Sequence, residues 1–577
     1  MIKLLRYMRG YMKETVLAPA FKLLEASFEL FVPLVVAQIV DYGIESRDVS
    51  YILSRCLILV VLSLIGFIAA VCAQYFSAKA AVGFASKVRM ALFSKITDMS
   101  YAELDSAGTS TLITRMTSDI NQLQAGVNLT LRLLLRSPFI VFGAMIMAFA
   151  IDVKSALTFA VMIAVLCVII FGIMLITIPL HKKVQASLDD VTLKTRENLT
   201  GVRILRGFRK EEKEVEAFNN STGILEKAQQ FAGAISALMN PLTFAVVNFS
   251  IIALIYTGAY RVGDGVISQG QLIALYNYMS QILVELIKLA WFIITLTKAV
   301  ACGQRVSSVI FADTGERDGG ESQAKGTVVP KVEFRNVSFR YSGAADYSLK
   351  NISFSVDPGE TVGIIGATGS GKTTLVNLIP AFYECTEGEV LVDGVNVKDT
   401  NLETLRAKFG IVPQKAVLFR GSIRENLRWR RDEASDTELL SAAETAQAKE
   451  VIAGKSAGLD APVEQNGKNF SGGQRQRLTI ARALVGEPDI LLLDDSSSAL
   501  DYATDAALRT SIASLPYEHT TFIVSQRTSS IMYADKIIVL DDAEMVGIGT
   551  HRELYETCET YREIHDLQFS GKKGKAQ

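Results

Sequence analysis

Apolar residues gather in the first half of the chain into six long runs; beyond about residue 310 they thin into short, strand-sized stretches. A bilayer core is crossed by about 20 apolar residues in a helix. Runs at 15–40, 52–78, 132–151, 155–180, 241–261 and 271–297 meet that length. Only Asp152-Val153-Lys154 separates the third run from the fourth, which predicts a tight hairpin; Gly263-Asp264-Gly265 and a few polar residues separate the fifth from the sixth. The pattern predicts an all-α six-helix membrane domain over 1–312, a linker rich in Gly, Asp, Glu and Ser over 313–329, an α/β domain over 330–569, and a disordered tail over 570–577. The alternation in Val332-Glu333-Phe334 and Val337-Ser338-Phe339 marks where strands begin.

Basic residues orient the spans. They crowd the N-terminus (Lys3, Arg6, Arg9, Lys13), the segment after the second span (Lys79, Lys87, Arg89, Lys95, Arg115) and the segment after the fourth (Lys182, Lys183, Lys194, Arg196, Arg203, Arg206, Arg209, Lys210). The opposite loops hold only Arg47, Lys154 and Arg261. A multi-pass protein of the cell membrane with both termini in the cytoplasm follows. The two basic segments are too long for turns and read as helices continuing out of the membrane.

Net charge and cysteine usage narrow the picture by exclusion. A formal charge of −1 gives no electrostatic footprint for nucleic acid, and mean hydropathy is +0.28. Cys56, Cys72, Cys167, Cys302, Cys385 and Cys558 lie far apart, with neither CxxC nor Cys/His metal spacing. Isolated thiols and no disulfide framework are expected. The first apolar run is too long for a signal peptide and carries charges.

The second domain carries the chemistry. The apolar strand Thr361-Val362-Gly363-Ile364-Ile365 runs into Gly366-Ala367-Thr368-Gly369-Ser370-Gly371-Lys372-Thr373-Thr374, which contains GxxxxGK[ST], with a helix following. Such a P-loop cradles phosphates with backbone N–H groups at a helix N-terminus. Lys372 is expected to reach the β- and γ-phosphates of ATP, and Thr373 to ligate Mg²⁺. Ile490-Leu491-Leu492-Leu493-Asp494 is a buried strand ending in an acid, as a Walker B aspartate holding Mg²⁺ requires. Between them, Asn469-Phe470-Ser471-Gly472-Gly473-Gln474-Arg475-Gln476-Arg477 opens another helix with a serine cap and two glycines.

Phe470-Ser471-Gly472-Gly473-Gln474 resembles the signature of ATP-binding cassette (ABC) proteins, and the likeness extends over essentially the whole chain as an exporter half-transporter, its membrane domain fused to its ATP-binding domain. The resemblance implies that Tyr341, 25 residues before Gly366, stacks on adenine. It implies that Gln414 in Val412-Pro413-Gln414 touches Mg²⁺ and senses the membrane domain, and that Ser498-Ala499-Leu500-Asp501 is the D-loop. Thr114–Asp119 and Glu197–Arg203 resemble segments flanking the coupling helices of exporters.

Two positions depart from the family. Members that hydrolyse ATP well carry Glu directly after the Walker B aspartate, where this chain has Asp495. One methylene shorter, Asp495 holds its carboxylate up to about 1.5 Å back from the attacking water, and misplacement by about 1 Å costs on the order of a hundredfold in rate. The family also expects His in the switch, where Gln526 follows Ser525. Gln donates a hydrogen bond but cannot carry the charge of a protonated His. None of the four histidines, His181, His519, His551 and His565, falls at the switch. Pro462–Gly467 matches the family's acidic pre-signature loop only loosely. Intact phosphate-binding parts beside two altered hydrolytic ones imply a degenerate ATP site. In ABC dimers the signature of one chain completes the site of the other, so Ser471, Gly472, Gly473 and Gln474 imply a second half-transporter chain as partner. The pattern resembles bacterial heterodimeric multidrug exporters.

The expected cargo is a small amphiphile met in the lipid bilayer. Glu25 and Glu29 share a face of the first helix, with Lys22 placed to pair with either, and Glu285 is placed to pair with Lys288. These charges neutralise one another or form an acidic patch for cationic amphiphiles. Phe28, Phe31 and Trp291 line a drug cavity, face lipid or pack within the helices. A lipid or peptide translocator, a homodimeric exporter, and an ATP-gated channel or regulatory subunit are the competing readings.

Overall fold

The computed structural model describes residues 2–312 and 329–573. The expected linker therefore lies almost wholly outside the described residues, as do 574–577 of the expected tail. The chain divides into two compact units, one of residues 1–97 and 110–312, the other of Asp98–Thr109 with the chain from 313 onward.

The first unit is built of long helices. Six of them, Lys3–Ile44, Val49–Thr97, Thr109–Ile151, Val153–Thr200, Glu211–Gly263 and Gln269–Ile310, contain the six expected spans and run 42 to 53 residues each. At 1.5 Å per residue that is roughly 60–80 Å, about twice the ~30 Å of a hydrocarbon core. Each helix therefore continues well past any membrane, as the basic segments led one to expect.

The turns are fixed by side chains. Asp152 ends the third helix and caps the fourth, accepting from the Ser155 N–H at 2.9 Å while pairing with Arg261. Ser268 and Gln271 form a reciprocal cap on the sixth helix, and Asp41, from the end of the first, accepts from the Gly270 N–H at 2.7 Å. A Cβ on Gly270 would stand 2.2 Å from the Ala37 carbonyl oxygen, so glycine permits this approach of two helices. Leu30, Ile140, Phe159, Met162, Leu166, Leu275, Tyr278 and Ile282 form the unit's core. Leu57, Val60, Leu64 and Phe67 make an exposed stripe at helical spacing on the second helix, as Val161, Val165, Val168 and Leu175 do on the fourth. Such stripes suit lipid.

The second unit is α/β. An antiparallel sheet in the order β2-β1-β4-β5 joins β1 (Val332–Phe339), β2 (Leu349–Val356), β4 (Glu387–Val392) and β5 (Val395–Asn396). A six-stranded sheet in the order β12-β11-β3-β10-β9-β6 joins β3 (Thr361–Gly366), β6 (Phe409–Val412), β9 (Ile490–Asp494), β10 (Thr520–Val524), β11 (Lys536–Asp541) and β12 (Glu544–Gly549). All its pairings are parallel except β11 with β12, and β7 (Gly421–Ser422) pairs separately with β8 (Pro462–Val463). Every residue of β9 is buried, which is why its sequence is a continuous apolar run. A helical layer including Gly472–Leu484 packs around Leu439, Leu478, Ile480 and Leu491.

Two features differ from expectation. Residues 570–573 belong to the terminal helix Glu559–Lys573 and not to a disordered tail. Tyr561, fully buried, anchors that helix, and extending an anchored helix costs little per residue. The short helix Tyr101–Ala107 belongs to the second unit: Tyr101 stacks on Phe382 with ring centroids 4.3 Å apart, and Tyr383 Oη donates to Asp105 at 2.6 Å.

Candidate functional site

Three neighbouring parallel strands deliver their C-terminal ends to one place. β3 ends in the glycine-rich loop, β9 in Asp494, and β10, which lies between them, runs on into Ser525 and Gln526. In open α/β sheets the crevice beyond the carboxyl ends of the strands is where ligands bind. A cavity of about 330 Å³ opens there, lined by Tyr341, Ser348, Thr368, Gly369, Gly371, Lys372, Thr373, Thr374, Gln414, Asp494, Asp495, Val524 and Gln526.

The loop is shaped by its glycines. Gly371 caps the helix Lys372–Leu378 at φ 96°, and a Cβ there would lie 2.4 Å from the Ser348 carbonyl oxygen. Gly366 is packed as closely against the Leu540 carbonyl, at 2.0 Å for the same construction. Lys372 is buried, its Nζ donating to the Gly366 and Ala367 carbonyls at 2.9 and 2.6 Å. Burial holds its pKa below the ordinary lysine value, against the opposing pull of Asp495 and Asp494. Thr373 Oγ1 donates to Asp494 Oδ1 at 3.1 Å, which sets a hydroxyl and a carboxylate side by side. Burial pushes the carboxyl groups of Asp494 and Asp495 above the usual range. The buried Ser370 Oγ has no hydrogen-bond partner among the described residues.

This donor set fits the groups the sequence led one to expect. Backbone N–H groups at a helix start and a buried lysine suit phosphates. Hard oxygens from Thr373, Asp494 and Gln414 suit Mg²⁺, whereas the described residues contain no His/Cys/Asp/Glu cluster fit for another metal. Tyr341 stands at the edge, its hydroxyl 3.1 Å from Thr374 Oγ1 and its ring edge-on to Phe339 and Tyr383.

Asp495 occupies the left-handed region at φ 47°, its N–H donating to the Val524 carbonyl at 3.0 Å. Aspartate tolerates that conformation better than most side chains. Gln414 and Arg527 lie near enough to pull its pKa down against the effect of burial. Arg527 was not read from the sequence; it reaches back toward the Leu500 and Ser498 carbonyls, each 3.4 Å away, and covers the Tyr502 ring. Ser348, just before β2, and Val524, at the end of β10, were also missed, for they line the cavity from positions that no motif marks.

Ser471, Gly472, Gly473, Gln474 and Asp501 do not line the cavity. Ser471 and Gln474 form a reciprocal cap on the helix Gly472–Leu484, and Asp501 caps Tyr502–Ala513 through the Thr504 N–H. A Cβ on Gly472 would meet open space, while one on Gly473 would press within 3.1 Å of the Ala499 carbonyl. Packing inside this chain explains Gly473, while no described residue stands within 4 Å of a Cβ built on Gly472.

In the membrane unit the structure decides between the two charge readings in favour of mutual neutralisation. The six charges do not leave an acidic patch: Lys22 takes Glu25 at 2.5 Å, and Lys288 takes Glu285 at 2.8 Å. Arg136, which the sequence reading passed over, donates from Nη1 to Glu285 at 2.6 Å and from Nη2 to both oxygens of Glu29 at 2.9 and 2.8 Å. Ser137 adds a hydrogen bond to Glu285 at 2.8 Å. Three cations and three anions cancel in one knot. The rule that flagged the glutamates, a charge within an apolar span, would also have flagged Arg136. Phe31 and Trp291 are exposed.

A six-helix membrane unit joined in one chain to a P-loop α/β unit with a signature helix defines an ABC transporter with its ATPase attached. Residues 15–286 match the family of the ABC transporter transmembrane region, and residues 349–498 match the family described as ABC transporter. The chain belongs to the ABC transporter family and has the architecture of an exporter half. It is 34% identical over 575 residues to the uncharacterized ABC transporter ATP-binding protein YfiB of Bacillus subtilis (strain 168), covering 100% of this chain and 99% of that one. It is 31% identical to an ATP-dependent lipid A-core flippase of Hahella chejuensis, over 86% of this chain and 85% of that protein. Among solved structures, a bacterial Atm1-family ABC exporter with ATP bound has the same fold at a TM-score of 0.79 and 23% identity, covering 100% and 99% of the two chains.

Proposed function

We propose that this chain is one half of a heterodimeric exporter of the cell membrane, that it moves amphiphilic compounds, multidrug substrates among them, and that its own ATP site binds nucleotide but turns it over slowly. The observation that carries the reading is the division of the cavity. Its phosphate-binding side carries Gly369, Gly371, Lys372, Thr373 and Thr374 with Asp494, while its hydrolytic side presents Asp495 and Gln526. Lys372 would hold the β- and γ-phosphates, with Thr373, Asp494 and Gln414 around Mg²⁺; the ion would neutralise phosphate charge. Asp495 would orient water from a carboxylate one methylene shorter than a glutamate's, and Gln526 would hydrogen-bond the γ-phosphate without adding charge.

Surfaces left without neighbours support a partner chain. Leu199, Ile204 and Phe208, 72%, 65% and 74% exposed, lie on and beside the short helix Val202–Gly207 in the segment that the basic residues place in the cytoplasm. Gly472 opens the signature helix toward empty space. The partner would dock on these surfaces and supply a Walker B glutamate and a switch histidine for the site that this chain's Ser471, Gly472 and Gly473 complete. A lipid as cargo is the second reading, favoured by the likeness to the lipid A-core flippase. Affinity purification of the tagged chain from its native membrane tests the proposal. A second half-transporter with those two residues is the expected companion; a homodimer with full turnover would overturn it.

A further inference from the structure

The switch segment is held from outside by the terminal helix. Gln568, in the helix Glu559–Lys573, accepts at Oε1 from the Thr528 N–H at 2.9 Å and from Thr528 Oγ1 at 2.8 Å. Its Nε2 donates to the Gln526 carbonyl at 2.7 Å. The side-chain amide thus pairs with the C=O of one residue and the N–H of the residue two further on, as a neighbouring strand would. Arg527 between them is extended and offers no side-chain cap to the helix Thr528–Ile531 that it precedes. The first N–H groups of a helix need partners from elsewhere, and Gln568 is that partner.

The terminal helix is itself seated firmly. Tyr561 is fully buried beside Ile365, Ile531 and Val539, and its hydroxyl meets His551 Nδ1 at 2.7 Å. Ile365 stands immediately before the P-loop, and Ile531 ends the helix after the switch. Tyr561, Ile564 and Gln568 lie at i, i+3 and i+7 and so share the face turned to the sheet. Ser525 closes the other side by accepting from the Arg527 N–H at 3.0 Å.

We infer that Gln568 is a positioning residue for the switch: it fixes the Gln526 peptide so that the Gln526 side chain enters the nucleotide cavity, and it makes the terminal helix a part of the ATP-hydrolysing machinery. The kinetic consequence rests on the reading of Gln526 as the switch residue; the backbone consequence does not.

The test compares Gln568→Met, which keeps the side chain's length and loses its hydrogen bonds, with the unaltered full-length chain in nanodiscs. Amide hydrogen exchange in residues 525–531 should speed about tenfold on losing bonds of this kind, with the helix Lys372–Leu378 unchanged. Single-turnover hydrolysis of bound ATP should fall by about the same factor, with ATP affinity moved by less than about twofold. Gln568→Glu, which retains the acceptor, should keep Thr528 protected and still slow hydrolysis. Unaltered exchange and rate in Gln568→Met, or faster exchange throughout the ATP-binding unit, would overturn the inference. A Gln526→Ala control separates the two claims: if it leaves hydrolysis untouched, the switch reading fails, and the exchange result still decides whether Gln568 positions the segment.

Discussion

The nucleotide cavity and the charged knot of the membrane helices are both clusters of buried ionisable groups, yet they are assembled in opposite ways. The cavity draws on short motifs at the ends of adjacent strands. Lys372 and Thr373 are neighbours in sequence, and the sheet brings Asp494 to them. Its charges stay partly unmatched: Asp494 and Asp495 are forced up in pKa by burial, and Lys372 is forced down. The knot draws on three helices. Arg136 reaches Glu29 and Glu285 across 107 and 149 residues of chain, and every charge in it has a partner. The three residues stand level: Glu29 is 15 residues from Ile44 (44 − 29), Arg136 is 15 from Ile151 (151 − 136), and Glu285 is 16 from Gln269 (285 − 269). That is about 22–24 Å from the short-loop ends of their helices. A site poised to bind an ion-laden ligand keeps unspent charge, while a joint between helices cancels it.

The comparison is broken most forcefully at Arg136. Arg136→Met leaves Glu285 buried with Lys288 alone and Glu29 unpaired; losing one partner of a buried pair costs about 3–5 kcal/mol. Thermal unfolding in detergent should show a large drop, and an unchanged midpoint would mean that the knot is not a joint. Lys372→Ala should lower ATP affinity by about a hundredfold, or 2.7 kcal/mol, while leaving the midpoint without nucleotide intact. Calorimetric titration with ATP reads both.

Asp494→Asn sharpens the contrast with a change of sign. A carboxyl whose folded pKa is raised contributes stability below its ordinary pKa and loses it as pH rises through the raised value. At neutral pH the buried Asp494 carboxylate therefore costs stability. The asparagine variant should melt higher by about 2–4 °C at pH 7 without nucleotide, show a smaller gain at pH 4, and lose the stabilisation given by ATP with Mg²⁺. The smallest effect is expected at Glu29, whose side chain is 42% exposed. Glu29→Gln should cost about 1 kcal/mol and reduce transport of cationic and neutral amphiphiles equally, because its charge is already taken by Arg136. Selective loss of cationic substrates would restore the acidic-patch reading.

What the sequence made legible follows the same division. Each span announced itself by length and composition, because the membrane is a uniform requirement met locally. The P-loop, Asp494 and Gln526 were legible because a parallel sheet places consecutive strand ends side by side. Arg136 with Glu29, Asp41 with Gly270 and Gln568 with Thr528 were not, since each pairing is made by tertiary packing that no periodicity encodes. Only the end of the terminal helix, from residue 570, was read as a tail, because its sequence is polar; the helix is seated by Tyr561 packed with Ile365, Ile537 and Val539.

Steady-state ATP hydrolysis by this chain purified alone in lipid nanodiscs reads the asymmetry between nucleotide binding and hydrolysis. Saturable ATP binding with slow turnover, well below the rate typical of transport ATPases, is expected. Turnover at that typical rate, abolished by Lys372→Ala, would show that Asp495 and Gln526 suffice and would contradict the asymmetry.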